Sequence, residues 1–187
     1  MKKKLPQDFA GDKYGLSFRF VNENDAEFIY KLRSDKILSK YIHDIEGGVD
    51  NQRNWIREYK KREANGDEYY FIFLEKGTPV GVFRLYSIKG TTYTGGSWVM
   101  KPNSSLEAIV AVAVISREIA FNTLGMEFED DYDACHVDNK KVIKFNLKMG
   151  MKIYKHFQDV KGEYVAMSLT KEDFEANKNK MLKLIGY

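Results

Sequence analysis

The chain has 187 residues, 43% hydrophobic and 14% aromatic, with 30 basic and 27 acidic side chains and a formal net charge of +3. That balance argues against a dedicated nucleic-acid binder, whose affinity rests on phosphate neutralisation. The single cysteine, Cys135, excludes an internal disulfide or thiolate-cluster metal site and suits a reducing, cytoplasmic compartment, while the longest apolar run, Ala108 to Ile115, is too short to span a bilayer.

No linker divides the chain, so one domain over residues 1–187 is expected, with a loose start over 1–14. Alternation from Leu16 to Val21 predicts a strand. Asn24 then caps a helix carrying Ala26, Ile29, Tyr30 and Leu32, which fades near Ser34-Asp35. A polar stretch from Ser39 to Gly48 leads to Asp50, the expected N-cap of a second helix that holds Trp55, Ile56 and Tyr59 and stops at Asn65-Gly66. Tyr69 to Leu74, Val80 to Ile88 and Thr92 to Met100 read as an antiparallel meander, turning at Glu75 to Thr78 and at Lys89-Gly90. Ser104 or Ser105 caps the longest helix, Leu106 to Asn122, whose middle is apolar nearly all round, as in a helix pressed between a sheet and other elements.

Phe128 to Val137 is the next strand, and after Asn139 a short amphipathic helix runs to Gly150. Val142, Phe145 and Met149 form its apolar row, with Ile143 and Leu147 beside them, and Lys140, Lys144 and Lys148 line the other face. Strands from Met151 to Gln158 and Tyr164 to Leu169 follow, around a turn at Lys161-Gly162, then a terminal helix from Lys171 to Leu184. The order βααβββαβαββα predicts an α/β (α+β) domain on a mixed, mainly antiparallel central sheet flanked by helices.

Phosphate-loop, dinucleotide, zinc-protease and serine-hydrolase signatures are all missing. The three histidines are scattered, so no metal is expected. The acidic run Glu127, Glu129, Asp130, Asp131, Asp133 lacks the turn glycine of a calcium loop and reads as a solvated strand edge. Two seats at strand ends remain. At the first, Ser97-Trp98-Val99-Met100 runs into the central helix, where free N–H groups at Leu106 and Glu107, helped by Ser104 and Ser105, can hold a pyrophosphate. Both serines could equally be simple caps. The second seat is Asn139, a cap or a ligand contact, with the lysine row beyond it either a phosphate partner or a solvated face.

Taken together, the order and the segments Asp67-Glu68-Tyr69-Tyr70-Phe71, Val82-Phe83-Arg84-Leu85-Tyr86, Gly96-Ser97-Trp98-Val99 and Asn139-Lys140-Lys141-Val142-Ile143 through Gly150 resemble the GNAT acetyltransferase superfamily, in its RimJ/RimL-type branch. The resemblance covers roughly Leu16 to Leu169. It implies a GNAT-like fold and transfer of an acetyl group from acetyl-CoA, with no metal, to a primary amine on an amino sugar, sugar nucleotide or peptide N-terminus. It further implies coenzyme contacts from Trp98 to Met100, Ser104 to Glu107, Asn139, Val142, Phe145 and Lys148, with the N–H of Val99 or Met100 polarising the thioester carbonyl. Acceptor contacts fall on Tyr41, His43, Arg84 and Tyr86, and a homodimer is compatible with it. Two departures stand out: the family's glycine-rich pyrophosphate loop is matched by Lys101 to Ala108, without glycine, and Asn146 stands where many members carry an acidic tyrosine. Thr94 replaces the usual strand glutamate, which leaves His136 and Glu68 as candidate bases. An acyl-CoA-binding module that has lost catalysis is the alternative.

Overall fold

The computed structural model describes residues 3–41, 45–160 and 162–187, and only the backbone of residues 133 and 134. Eight strands form one sheet: β1 (Ala10–Lys13), β2 (Leu16–Phe20), β3 (Tyr69–Glu75), β4 (Thr78–Lys89), β5 (Thr92–Met100), β6 (Phe128–His136), β7 (Lys152–Asp159) and β8 (Gly162–Thr170). Their spatial order is β1-β2-β3-β4-β5-β6-β8-β7. The helices are α1 (Ala26–Ser34), α2 (Val49–Asn65), α3 (Leu106–Glu118), α4 (Lys140–Met149) and α5 (Lys171–Lys183). The mixed, mainly antiparallel sheet expected from the chain order is therefore present.

Residues 10–13, expected to be loose, form β1 and pair with β2. Just upstream, Leu5 is buried and donates its N–H to Tyr69 Oη, while Phe9 sets its ring against Phe18, Phe20 and Phe71. Two isolated apolar residues in a polar segment carry no periodicity, so only tertiary packing reveals the strand. The caps also shift. Asn22 rather than Asn24 opens the first helical segment, through a reciprocal capping box with Asp25 and a 3-10 turn at Glu23–Asp25. Helix α2 begins at Val49 behind Gly48, so Asp50 lies inside the first turn, where its charge favours the helix dipole. Helix α3 ends at Glu118 and continues as a π-turn, Ile119–Thr123.

The sheet is covered on both faces. Helices α3 and α5 bury Val110, Val114, Phe121 and Phe174 against Phe71, Phe73 and Phe83 on one face. On the other, α1 and α2 bury Ile29, Leu32, Ile56 and Tyr59 against Ile72, Val82 and Val99. This explains the continuous apolar run of β3, a strand buried on both sides. In α4, Met149 is buried as its spacing predicts, but Leu147 is 47% exposed, because α5 and the sheet cover only the Val142, Phe145 and Met149 side.

Among the described residues, strands β5 and β6 make the single parallel pair, and its ladder holds only Thr92 with Phe128 and Tyr93 with Glu129. Beyond it, side chains replace the ladder: Thr94 Oγ1 donates to Asp130 O at 2.8 Å, and Gly95 N–H donates to Asp131 Oδ1 at 2.8 Å. The strands then part. On its other edge β5 carries an extra residue between the partners of Val82 and Arg84, and Ser97 in this bulge has φ 46°, in the left-handed region. Strand β6 is thus interior, flanked by β5 and β8, and the solvated-edge reading of its acidic run is corrected: Glu129 is 0% and Asp131 6% exposed. Alternation along the strand turns these two inward and leaves Asp130 on the opposite face.

Candidate functional site

A cleft of about 120 Å³ opens where β5 and β6 part. Gly95, Gly96, Ser97 and Trp98 of β5 form one wall, and Asn139, Val142 and Asn146 form the other, spaced so that one face of α4 looks across at β5. Phe83, Arg117 and Asp131 line the floor, and Tyr41 comes in from the segment after α1.

Two polar atoms in these walls are buried without a hydrogen-bond partner among the described residues: Trp98 Nε1, a donor, and Asn146 Oδ1, an acceptor. The Trp98 ring is clamped between Phe83 and Phe145, with centroids at 6.0 and 5.2 Å. Asn146 is 5% exposed, and its amide nitrogen meets only the sulfurs of Cys135 and Met167, each at 3.9 Å. Orphaned buried groups cost about 1–3 kcal/mol each, so a donor and an acceptor left open in one cleft point to a ligand that satisfies both. Asn139 adds to them. It stands at the N-cap position of α4, yet its side chain makes no capping bond among the described residues.

The floor is an ionic cluster. Arg117 grips Glu129 with two bonds, Nε to Oε2 at 2.9 Å and Nη2 to Oε1 at 2.8 Å, and Tyr93 Oη donates to Glu129 Oε2 at 2.6 Å. Gly95 makes room for it, since a Cβ there would stand 2.6 Å from Glu129 Oε1. Asp131 lies beside this pair. Burial first, and then the charge of Glu129, push its carboxyl well above the usual carboxylate range, against the pull of Arg117. Burial and Glu129 likewise raise the Tyr93 hydroxyl, and burial with Asp131 pushes the Cys135 thiol up to about 12.

At the open end, β5 leads through residues 101–105 into α3. Ser105 caps α3 by accepting the Ala108 N–H at 3.1 Å, and Ser104 Oγ donates to Lys101 O at 2.8 Å. Both serines are therefore engaged in the turn. The N–H groups of Leu106 and Glu107 lie in the first turn, where a helix offers no internal acceptor. The missing glycine has a local answer: Asn103 takes the left-handed conformation, φ 60°, which asparagine tolerates better than most residues.

Other sequence candidates fall around the cleft. Lys101 N–H donates to Val80 O, so strand alternation turns the N–H of Val99 toward β4 as well and that of Met100 toward the open side. Phe145 acts on the cleft through Trp98, whereas Lys148 is exposed and does not line it. His136 stacks on Tyr41 at 5.2 Å, its Nδ1 is engaged by the Asp138 N–H, and it is not part of the cleft lining. Glu68 lies outside the lining, and its oxygens are taken by Arg62, at 2.7 Å, and by Arg84. Arg84 in turn sits over the rings of Trp55 and Tyr86, at 5.1 and 4.8 Å, and Tyr86 abuts the backbone of Gly96. His43 lies outside the described residues.

Comparison with known proteins settles the family. The model of the acetyltransferase (GNAT) domain matches residues 16–152. The chain belongs to the GNAT acetyltransferase family. Among solved structures, apo FdhC, a nucleotide-linked sugar GNAT, is 34% identical with a TM-score of 0.78, covering 96% of this chain and 99% of its own. Mycobacterium smegmatis RimJ in complex with CoA-disulfide is 13% identical, TM-score 0.77, with coverages of 95% and 92%. The spermidine N-acetyltransferase of Vibrio cholerae, in complex with CoA and spermine, is 13% identical, TM-score 0.73, covering 87% and 99%. The last two share the fold. None of the curated proteins compared matches the chain.

Asp131, Glu129 and Arg117 were missed as site residues. Arg117 was a lone cation after an apolar helical run, and Glu129 and Asp131 were masked by the acidic residues around them. Their period-two spacing on a strand was the available signal.

Proposed function

We propose that this protein, acting as one domain over residues 1–187, transfers the acetyl group of acetyl-CoA directly to the primary amine of a nucleotide-linked amino sugar. The observation that carries the coenzyme half is the pair of orphans, Trp98 Nε1 and Asn146 Oδ1, on facing walls of one cleft. The pantetheine arm supplies amide C=O and N–H groups to satisfy a donor and an acceptor, and Asn139 is free to join them. The first turn of α3 suits the pyrophosphate. In this arrangement an N–H freed by the Ser97 bulge, rather than that of Val99 or Met100 further along β5, polarises the thioester carbonyl.

The acceptor class rests on the 34% identity to a nucleotide-linked sugar GNAT over nearly the whole chain, together with Arg84. A guanidinium set over two rings and fixed by Glu68, with its buried Nε unpartnered among the described residues, is preorganised for phosphate oxygens. Tyr86 lies between Arg84 and the Gly96 wall, and Tyr41 lines the cleft. Within the family, the segments around Glu68, Arg84, Ser97 and Asn139 suit the RimJ/RimL-type branch.

The test is free-thiol release from acetyl-CoA with UDP- and dTDP-linked amino sugars, spermidine, and a peptide with an N-terminal alanine. The expected result is turnover with at least one nucleotide-linked sugar at a kcat/KM at least ~10-fold above the polyamine and the peptide. Turnover confined to the peptide or spermidine would reassign the acceptor. Binding of acetyl-CoA, seen as a thermal shift, with no turnover on the panel would favour the binding-module reading.

A further inference from the structure

Asp131 is a buried, cleft-facing carboxyl that coenzyme binding does not employ. An arm held at the α3 N-terminus and running inward along β5 brings its far end to the closed end of the cleft, at Gly95 and Asp131. Among the described lining residues, the groups that can exchange a proton there are Tyr41, Ser97, Arg117 and Asp131, and an alkyl hydroxyl such as that of Ser97 neither stores nor releases a spare proton near neutral pH. Arg117 stays charged, and the Tyr41 ring, in the segment after α1, is stacked on His136. Asn146, standing where an acid would be expected, cannot supply a proton.

The cluster also decides which carboxyl is protonated. Two carboxyls share one guanidinium in a largely buried place, where two unit negative charges against one positive charge are disfavoured. Glu129 takes two Arg117 bonds and the Tyr93 hydroxyl, so the guanidinium is engaged by Glu129 and Asp131 is left with the Gly95 N–H, the position in which a carboxyl keeps its proton. The groups facing Asp131 are Glu129 and Cys135 on its own strand, Tyr93 and the Gly95 N–H on β5, Arg117 on α3, and, more remotely, Tyr154 on β7.

We propose that Asp131 is the proton carrier of the transfer, a carboxylic acid at rest that protonates the departing sulfur and is reloaded from the amine nitrogen. This rests on the N-acetyltransferase reading above. The lone pair of a neutral amine forms the C–N bond, and the carbonyl π pair moves onto oxygen. When the oxyanion collapses the C–S bond breaks, its electron pair stays on sulfur, and sulfur takes the Asp131 proton. The cationic nitrogen then gives its surplus proton to the Asp131 carboxylate, so one proton has moved from nitrogen to sulfur and the acid is restored.

Asp131→Asn keeps the shape and an acceptor for Gly95 while removing the proton. Expected are an acetyl-CoA dissociation constant within ~2-fold of wild type by calorimetry, and a kcat reduced ~10²–10⁴-fold in the thiol-release assay with the best amine of the panel. The wild-type kcat should fall on the alkaline side as Asp131 ionises, and that limb should vanish in the variant. Should the variant not fold, infrared spectroscopy of the wild type decides, since a protonated-carboxyl C=O band must be present at pH 7. A variant within ~3-fold of wild-type kcat, or a wild type without that band, overturns the proposal and leaves the acetyltransferase reading standing. A wild type that transfers to no amine overturns both, even with the band present.

Discussion

Two arginine–glutamate clusters flank the cleft with opposite imbalances. Beneath it, one guanidinium, Arg117, serves two carboxyls, Glu129 and Asp131, and all are nearly sealed from water, at 2%, 0% and 6% exposure. Beside it, two guanidiniums, Arg62 and Arg84, share one carboxylate, Glu68, and their side chains are 39% and 20% exposed. The first cluster is short of positive charge in a buried place, which favours a protonated carboxyl. The second has surplus positive charge in a half-open place, so it can offer that charge to an anion. Surplus of one sign and degree of burial together decide whether an ionic cluster stores a proton or binds a ligand.

The sharpest way to break the comparison is to remove the buried cation. Arg117→Met leaves Glu129 ionised or protonated at a loss in either case, and should destabilise the protein by about 3–5 kcal/mol, read from urea unfolding at pH 7. Adding Glu129→Leu should restore most of that loss, because a buried pair replaced by apolar groups of similar size is often neutral. A single variant within ~1 kcal/mol of wild type would contradict the buried ionic floor.

On the ligand side, Arg84→Lys keeps the charge but loses the planar fork and its stacking on Trp55 and Tyr86. KM for a nucleotide-linked amino sugar should rise about 10-fold, equivalent to ~1.4 kcal/mol, with acetyl-CoA affinity unchanged. An equal weakening of both ligands would place Arg84 in general folding rather than acceptor binding.

Asp131 also predicts a pH dependence of stability. Its folded carboxyl titrates well above the unfolded reference of ~3.9, so the folded chain holds a proton that the unfolded chain releases. Stability from this group is therefore complete below about pH 4 and is lost as pH rises toward its folded value. The Asp131→Asn variant should lack that downward slope when urea midpoints are compared across pH.

The comparison also explains what could be read from the chain. The meander, the central helix and α4 follow from periodicity and turn residues, which act locally, and Asn139 and Trp98, which line the cleft, stand at junctions between such elements. The proton-storing cluster was not legible. It needs Arg117 of α3, Tyr93 of β5 and two residues of β6 brought together, and β6 is interior only because β8 returns to pair with it. Without that pairing an acidic strand is reasonably read as an edge. Glu68 was misplaced for a related reason: a carboxylate at the start of a strand is a plausible base until Arg62 and Arg84 close on it.

The smallest expected effect repeats the first experiment on the second cluster. Arg62→Gln also removes a guanidinium from a glutamate, but Arg84 still neutralises Glu68, and Arg62 is open to solvent and ions. The loss should be about 0.5 kcal/mol, falling toward zero in 0.5 M salt, where screening shortens the reach of exposed charges. The Arg117→Met loss, by contrast, should persist in salt because mobile ions cannot enter the floor. If Arg62→Gln were as damaging as Arg117→Met, net charge would not be what separates the clusters. If its effect were small but independent of salt, the contact would act through packing of Arg62 on the Trp55 ring, 5.4 Å away, rather than through its charge.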